Sequence, residues 1–176
     1  MILKGFKEKS IKKHLRSLLN NSEHTAITQV IESVGLIVNV DEVPDLKIFK
    51  SLAKSLNIAP NNLKIIVFTE SKISENTLEQ GCFNPKDIGW KAAILNNELE
   101  AFLHTKFDLL ISFYSADSFY LKVLTAKSSA HFKASVFQGE PRLNDLIIQT
   151  PLTDFDAFKT ELLKYLHVFK TLKHEA

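Results

Sequence analysis

A single cysteine, five glycines and five prolines are sparse punctuation for 176 residues. With Cys82 alone, the chain cannot close a disulfide on itself, and a four-cysteine zinc site is excluded. Few Gly and Pro exclude long low-complexity stretches. No apolar run approaches the roughly 20 residues that span a bilayer. The N-terminus lacks the apolar core of a signal peptide, because lysine interrupts Met1 to Arg16 throughout. The expectation is a cytoplasmic protein without a transmembrane segment. No strand-like run ends in a glycine-rich turn, so the phosphate loops of dinucleotide and P-loop folds are missing. The six histidines are scattered, with no pair at i+3 or i+4, so no transition-metal motif stands out and no cofactor is implied.

What is present is ordinary globular material: 45% hydrophobic residues, 24% charged, and thirteen Phe to fill a core. Net charge is only +2, but it is unevenly placed. Residues 1–16 hold Lys4, Lys7, Lys9, Lys12, Lys13 and Arg16 against Glu8, and the remainder is mildly acidic.

Periodicity divides the chain into alternating elements. Ile11, Leu15, Leu18 and Leu19 predict a helix over 8–20. Residues 22–32 are ambiguous. VGLIVNV (34–40) predicts a strand, and Pro44 suits the first turn of a helix carrying Leu46, Phe49, Ala53 and Leu56. LKIIVFT (63–69) is a second strand. In 70–95 we expect a short helix near 74–80 and a short strand near 88–94. Asn96 or Asn97 caps a helix with Leu99, Phe102 and Leu103. FDLLISF (107–113) is a strand, followed by a helix that Asp117 or Ser118 caps. Residues 131–137 alternate as an edge strand would, and DLIIQ (145–149) is a last strand. Thr153 with Asp156 resembles a capping box. Phe155, Phe158, Leu162, Leu166 and Phe169 then stripe a C-terminal helix. The expectation is a single three-layer α/β domain over 1–176. It has a mostly parallel, Rossmann-like sheet of five or six strands, with helices on both faces and the basic helix of 1–21 packed on it.

In such sheets ligands bind beyond the carboxyl ends of the strands. That rim holds Asn39, Asp41 and Glu42, then Thr69 and Glu70, then Tyr114, Ser115 and Asp117; Arg142 lies nearby in sequence to the later strands. The carboxylates can gather a divalent cation, or they can cap helices and bond local backbone, which is the expected role. Arg142 can hold a carboxylate or phosphate, or sit in a polar turn. Cys82 lies in a loop-like stretch without a partner base, and a packing thiol is expected. Trp90 is expected in the core; exposure there would mark a contact surface.

Three local or global resemblances bear on identity. FDLLISFYSADSFYLKVL (107–124) resembles the opening strand and loop of TIR domains. In that family the motif begins the domain, whereas here most strands precede it, and we read it as chance convergence. Residues 107–137 resemble part of the Rossmann-like half of heptosyltransferase-type glycosyltransferases, without a catalytic motif. SVGLIVNVDE (33–42), KFDLLISFY (106–114), LTAKSSAHFKASVF (124–137) and RLNDLIIQT (142–150) together resemble an uncharacterised bacterial family described only as a domain of unknown function. That resemblance implies a bacterial cytoplasmic protein and imports no activity.

Three functions follow as expectations. The first is a non-catalytic interaction or ligand-binding module, with a protein partner or a second copy of the chain. The second is a small metal-dependent hydrolase or transferase using the acidic rim. The third is peripheral association with nucleic acid or membrane through the basic N-terminal helix, although no aromatic residues interleave with its charges as a single-strand platform requires.

Overall fold

The computed structural model describes residues 2–27, 30–71, 82–136 and 139–174, with side chains to residue 168. In chain order the elements are α1 (Ile2–Asn20), β1 (Val34–Asn39), α2 (Ile48–Ser55), β2 (Leu63–Phe68), β3 (Cys82–Phe83), α3 (Asn97–His104), β4 (Leu109–Phe113), α4 (Phe119–Lys127), β5 (Phe132–Ser135), β6 (Leu146–Ile147) and α5 (Phe155–His174). Every strand pairs in parallel, in the order β3-β2-β1-β4-β5-β6. This is the doubly wound Rossmann-like order, and its switch point lies between β1 and β4.

Both central strands are buried along their whole length, as apolar runs covered on two faces must be. On one face Ile37, Ile66, Phe68 and Leu110 pack under α1, α3 and α4, which contribute Ile11, Leu15, Leu99, Phe102, Leu121 and Leu124. On the other, Leu36, Val38, Ile111 and Phe113 meet Phe49 and Leu52 of α2 and Phe158, Leu162 and Leu166 of α5. Phe113 anchors that side edge-on to Phe49 at 5.4 Å and to Phe158 at 5.1 Å. Burying one such ring is worth about 1.5–3 kcal/mol. Gly35 has a packing reason: a Cβ there would lie 2.7 Å from Cδ2 of Phe107.

Several boundaries differ from the periodic reading. The first helix begins at Ile2, well before the apolar stripe starts. Helix α2 begins at Ile48 rather than at Pro44. The chain first completes a turn over the sheet rim, where Glu42 N and Val43 N both bond Asn39 O. Cys82 is not in a loop but in the short edge strand β3. The strand expected near 88–94 is one antiparallel bridge, Ile88 to Ile94, around a 3₁₀ turn at Trp90–Ala92. Lys91 and Ala92 there take φ of 52° and 56°, and such left-handed backbone cannot continue a strand. β5 is not an edge strand, because the two-residue β6 pairs outside it. Ser118, not Asp117, caps α4, and Asp154 rather than Thr153 accepts from Ala157 N at the start of α5. The helix expected near 74–80 and the Phe169 side chain lie outside the described residues.

Candidate functional site

The β1 turn delivers two adjacent carboxylates to the rim, and each reaches a different neighbouring strand. Glu42 bridges to the end of β4. Its Oε2 accepts from Ser115 N at 3.1 Å and Ala116 N at 3.2 Å, and its Oε1 accepts from the Ser115 hydroxyl. Asn39 Nδ2 donates to the same carboxylate at 2.9 Å. Asp41 bridges to the end of β2, accepting from the Thr69 hydroxyl at 2.6 Å, Glu70 N at 3.0 Å and Ser71 N at 3.3 Å. Burial pushes the Asp41 carboxyl up, but these donors outweigh it and hold the group below the ordinary aspartate value.

The crevice between β1 and β4 is where a doubly wound sheet ordinarily receives an anionic ligand. Here the backbone amides of Ser115 and Ala116 already hold the protein's own carboxylate. Asn39, Asp41, Glu42, Thr69 and Ser115 are therefore brought together, as a hydrogen-bonded staple across three strands. Among the described residues, no group of three His, Cys, Asp or Glu side chains is placed to hold a metal ion.

The remaining rim candidates separate. Tyr114 is fully buried, with its hydroxyl 2.9 Å from Thr125 Oγ1, which also meets Ser112 Oγ at 2.9 Å. Burial in this hydroxyl triad under α4 pushes the Tyr114 phenol well up. It faces the core because the strand's alternation continues one residue past β4. Asp117 is exposed and pairs with Lys122. Arg142 leaves the rim altogether: it lies with His131 and Asp145, which precede β5 and β6, around a hollow of about 270 Å³. A parallel neighbour requires the connector to carry the chain back to the strand's starting end. Arg142 makes a two-pronged pair with Glu140 at 2.8 and 2.9 Å and donates to Asn20 Oδ1 at 3.2 Å. His131 is exposed. In the same wall, the buried Asn144 amide has no hydrogen-bond partner among the described residues. Its polar atoms are closed to solvent, so it reads as a stability cost rather than a ligand contact.

An open cleft remains at the carboxyl ends of β2 and β3. It measures about 730 Å³ and is lined by Lys4, Lys7, Glu70, Ser71, Asn84, Pro85, Lys86 and Tyr120. Helix α1 crosses one face of the sheet, and its first two turns overhang this end. Lys7 Nζ donates to Pro85 O at 3.1 Å, joining the helix to the turn after β3. Asn84 caps that turn, accepting from Lys86 N at 2.9 Å, which fixes where Lys86 leaves the backbone. Three ammonium groups thus face one exposed carboxylate. Lys4, Lys7, Lys86 and Asn84 do not emerge as site residues from sequence reasoning. The N-terminal basic cluster was the available signal, but its meeting with residues 84–86 depends on how α1 crosses the sheet. Cys82, beside this edge, has its thiol pushed up to about 11 by burial and by the charges of Asp41 and Asp87. It stays protonated at neutral pH, a poor nucleophile.

The model of a family of unknown function (DUF6913) matches residues 7–169, and the chain belongs to that family. No curated protein and no solved structure matches the chain.

Proposed function

We propose, since membership of this family carries no activity with it, that the protein is a non-catalytic ligand-binding module whose site is the cleft beyond β2 and β3. The ligand is a small polyanion. The observation that carries this reading is the convergence of Lys4, Lys7 and Lys86 on Ser71 and Asn84 at the carboxyl edge of a doubly wound sheet. Ammonium groups supply charge, and the serine and asparagine supply orienting hydrogen bonds. The rim carboxylates support a binding rather than a catalytic role. Asp41 and Glu42 already accept several hydrogen bonds each, which leaves neither poised as a general base.

Calorimetric titration with pyrophosphate and with citrate tests the reading. We expect submillimolar binding that weakens with salt, as exposed charges require. Lys7→Met and Lys86→Ala should each weaken it by roughly tenfold, the loss of one charge-assisted contact. Binding of neither polyanion, or binding indifferent to both substitutions, would sink the proposal. Turnover of pyrophosphate to phosphate would instead establish the hydrolase reading.

A further inference from the structure

We propose that the outward face of α1, together with the turn at Trp90, docks on an anionic lipid surface. This inference does not rest on the cleft, because it uses different residues. Large apolar side chains stand out at the start of α1: Ile2 is 77% exposed, Leu3 75% and Phe6 56%. Trp90 is 51% exposed on the turn beside the helix. That turn is tied to α1 by Lys91 N donating to Ser10 Oγ at 3.1 Å. Leu95, also exposed, lies over Gly89 next to Trp90, where a Cβ would come within 3.2 Å of its Cδ2. Five of the eight large hydrophobics exposed among the described residues therefore collect on this side.

Cations surround them. Phe6, Lys9, Lys13 and Lys91 line one shallow hollow, with Ser10 and His14. Ile2, Phe6, Lys9 and Lys13 follow the helical repeat on the side opposite the buried Ile11 and Leu15. The one acid of residues 1–16, Glu8, falls by the helical repeat on the side of the buried Leu15, and after burial its charge is the next cause that pushes the Tyr120 phenol up. Nothing acidic on this part of α1 offsets the lysines.

The chemistry selects among partners. Exposed aliphatic residues at a helix tip find their solvent in acyl chains, not in a phosphate backbone. A half-exposed tryptophan is at home where headgroups meet hydrocarbon. Lysines among such residues complement anionic headgroups. No helix among the described residues is long and apolar enough to cross a membrane, so the contact is peripheral.

Trp90 is the only tryptophan, which makes its fluorescence a direct reporter of this face. The full chain is titrated with vesicles of phosphatidylcholine alone and with one quarter phosphatidylglycerol. We expect a blue shift of emission and quenching by brominated acyl chains with the anionic vesicles only, reversed by salt. The double variant Lys9→Glu/Lys13→Glu should weaken partitioning about 30-fold or more. Phe6→Ser should abolish quenching while leaving circular dichroism unchanged, since its ring is exposed and lies outside both core clusters of the described residues. Unchanged emission with anionic vesicles, or unaltered partitioning of the charge-reversed variant, overturns the proposal. So does a blue shift that depends on protein concentration without lipid, which would assign the face to a second copy. Binding of a single-stranded oligonucleotide in preference to vesicles would overturn it in favour of nucleic acid.

Discussion

Two openings sit side by side on the same edge of the sheet, and they are built in opposite ways. Between β1 and β4 the crevice is closed by Glu42, an internal anion seated on two backbone amides. Beyond β2 and β3 the cleft is open and lined by lysines. The difference arises from what each connection brings back to the rim. The β1 turn carries two carboxylates that find N–H donors within reach, so charge is satisfied internally. The start of α1 and the turn after β3 bring ammonium groups with too few acceptors, so charge faces solvent. The usual ligand position of a fold can thus be spent on holding the fold together, with the accessible charge displaced to the neighbouring strand pair.

Removing the internal anion is the most direct way to break this contrast. Glu42→Ala should cost about 1–2 kcal/mol in urea unfolding, because it strips a charged acceptor from the exposed Ser115 amide and the part-buried Ala116 amide. It should also create a weak anion site in the crevice, visible as chemical-shift changes at those two amides on adding phosphate. No loss of stability would mean that water serves those amides as well as Glu42 does.

A smaller effect distinguishes the two carboxylates. Asp41 has its folded value held below the unfolded one of about 3.9. Its contribution is therefore complete above the unfolded value and is lost as pH falls through the folded value. Asp41→Asn should cost about 1 kcal/mol at neutral pH, discounted for the residue's exposure. The wild-type advantage should shrink as pH drops from about 4, in denaturation curves followed against pH. An advantage that grew toward acid would show that Asp41 is not stabilised by its Thr69, Glu70 and Ser71 donors.

The smallest expected effect is on the open side. Lys86→Ala should change unfolding stability by less than about 0.5 kcal/mol, since the side chain is exposed and makes no ion pair among the described residues. A large loss would mean that the cleft, like the crevice, is structural.

Much of the architecture is legible in the chain. Apolar runs at β1 and β4 reveal strands covered on both faces, since only such burial accounts for six and five consecutive buried positions. The Asn96 cap and the Ile11/Leu15 stripe locate helices because capping and 3.6-residue periodicity are local. Short elements are less legible. β3 and β6, two residues each, carry no period, and β5 alternates although it is not an edge strand. Tyr114 reads like a rim residue, yet strand alternation turns it into the core. Trp90 reads like a core residue, yet a left-handed turn holds it at the surface.

Local sequence therefore determines that this is an alternating α/β chain with a basic first helix and an acidic, hydroxyl-rich rim. Those properties follow from periodicity, propensity and composition, which act over a few residues. Tertiary structure alone decides that Glu42 closes the crevice, that Arg142 is carried to the opposite end of its strand, and that Lys4 and Lys7 meet Lys86. Each of these depends on strand order and on the path of a crossover. Such choices are made by packing whole elements together, and no short stretch of sequence records them.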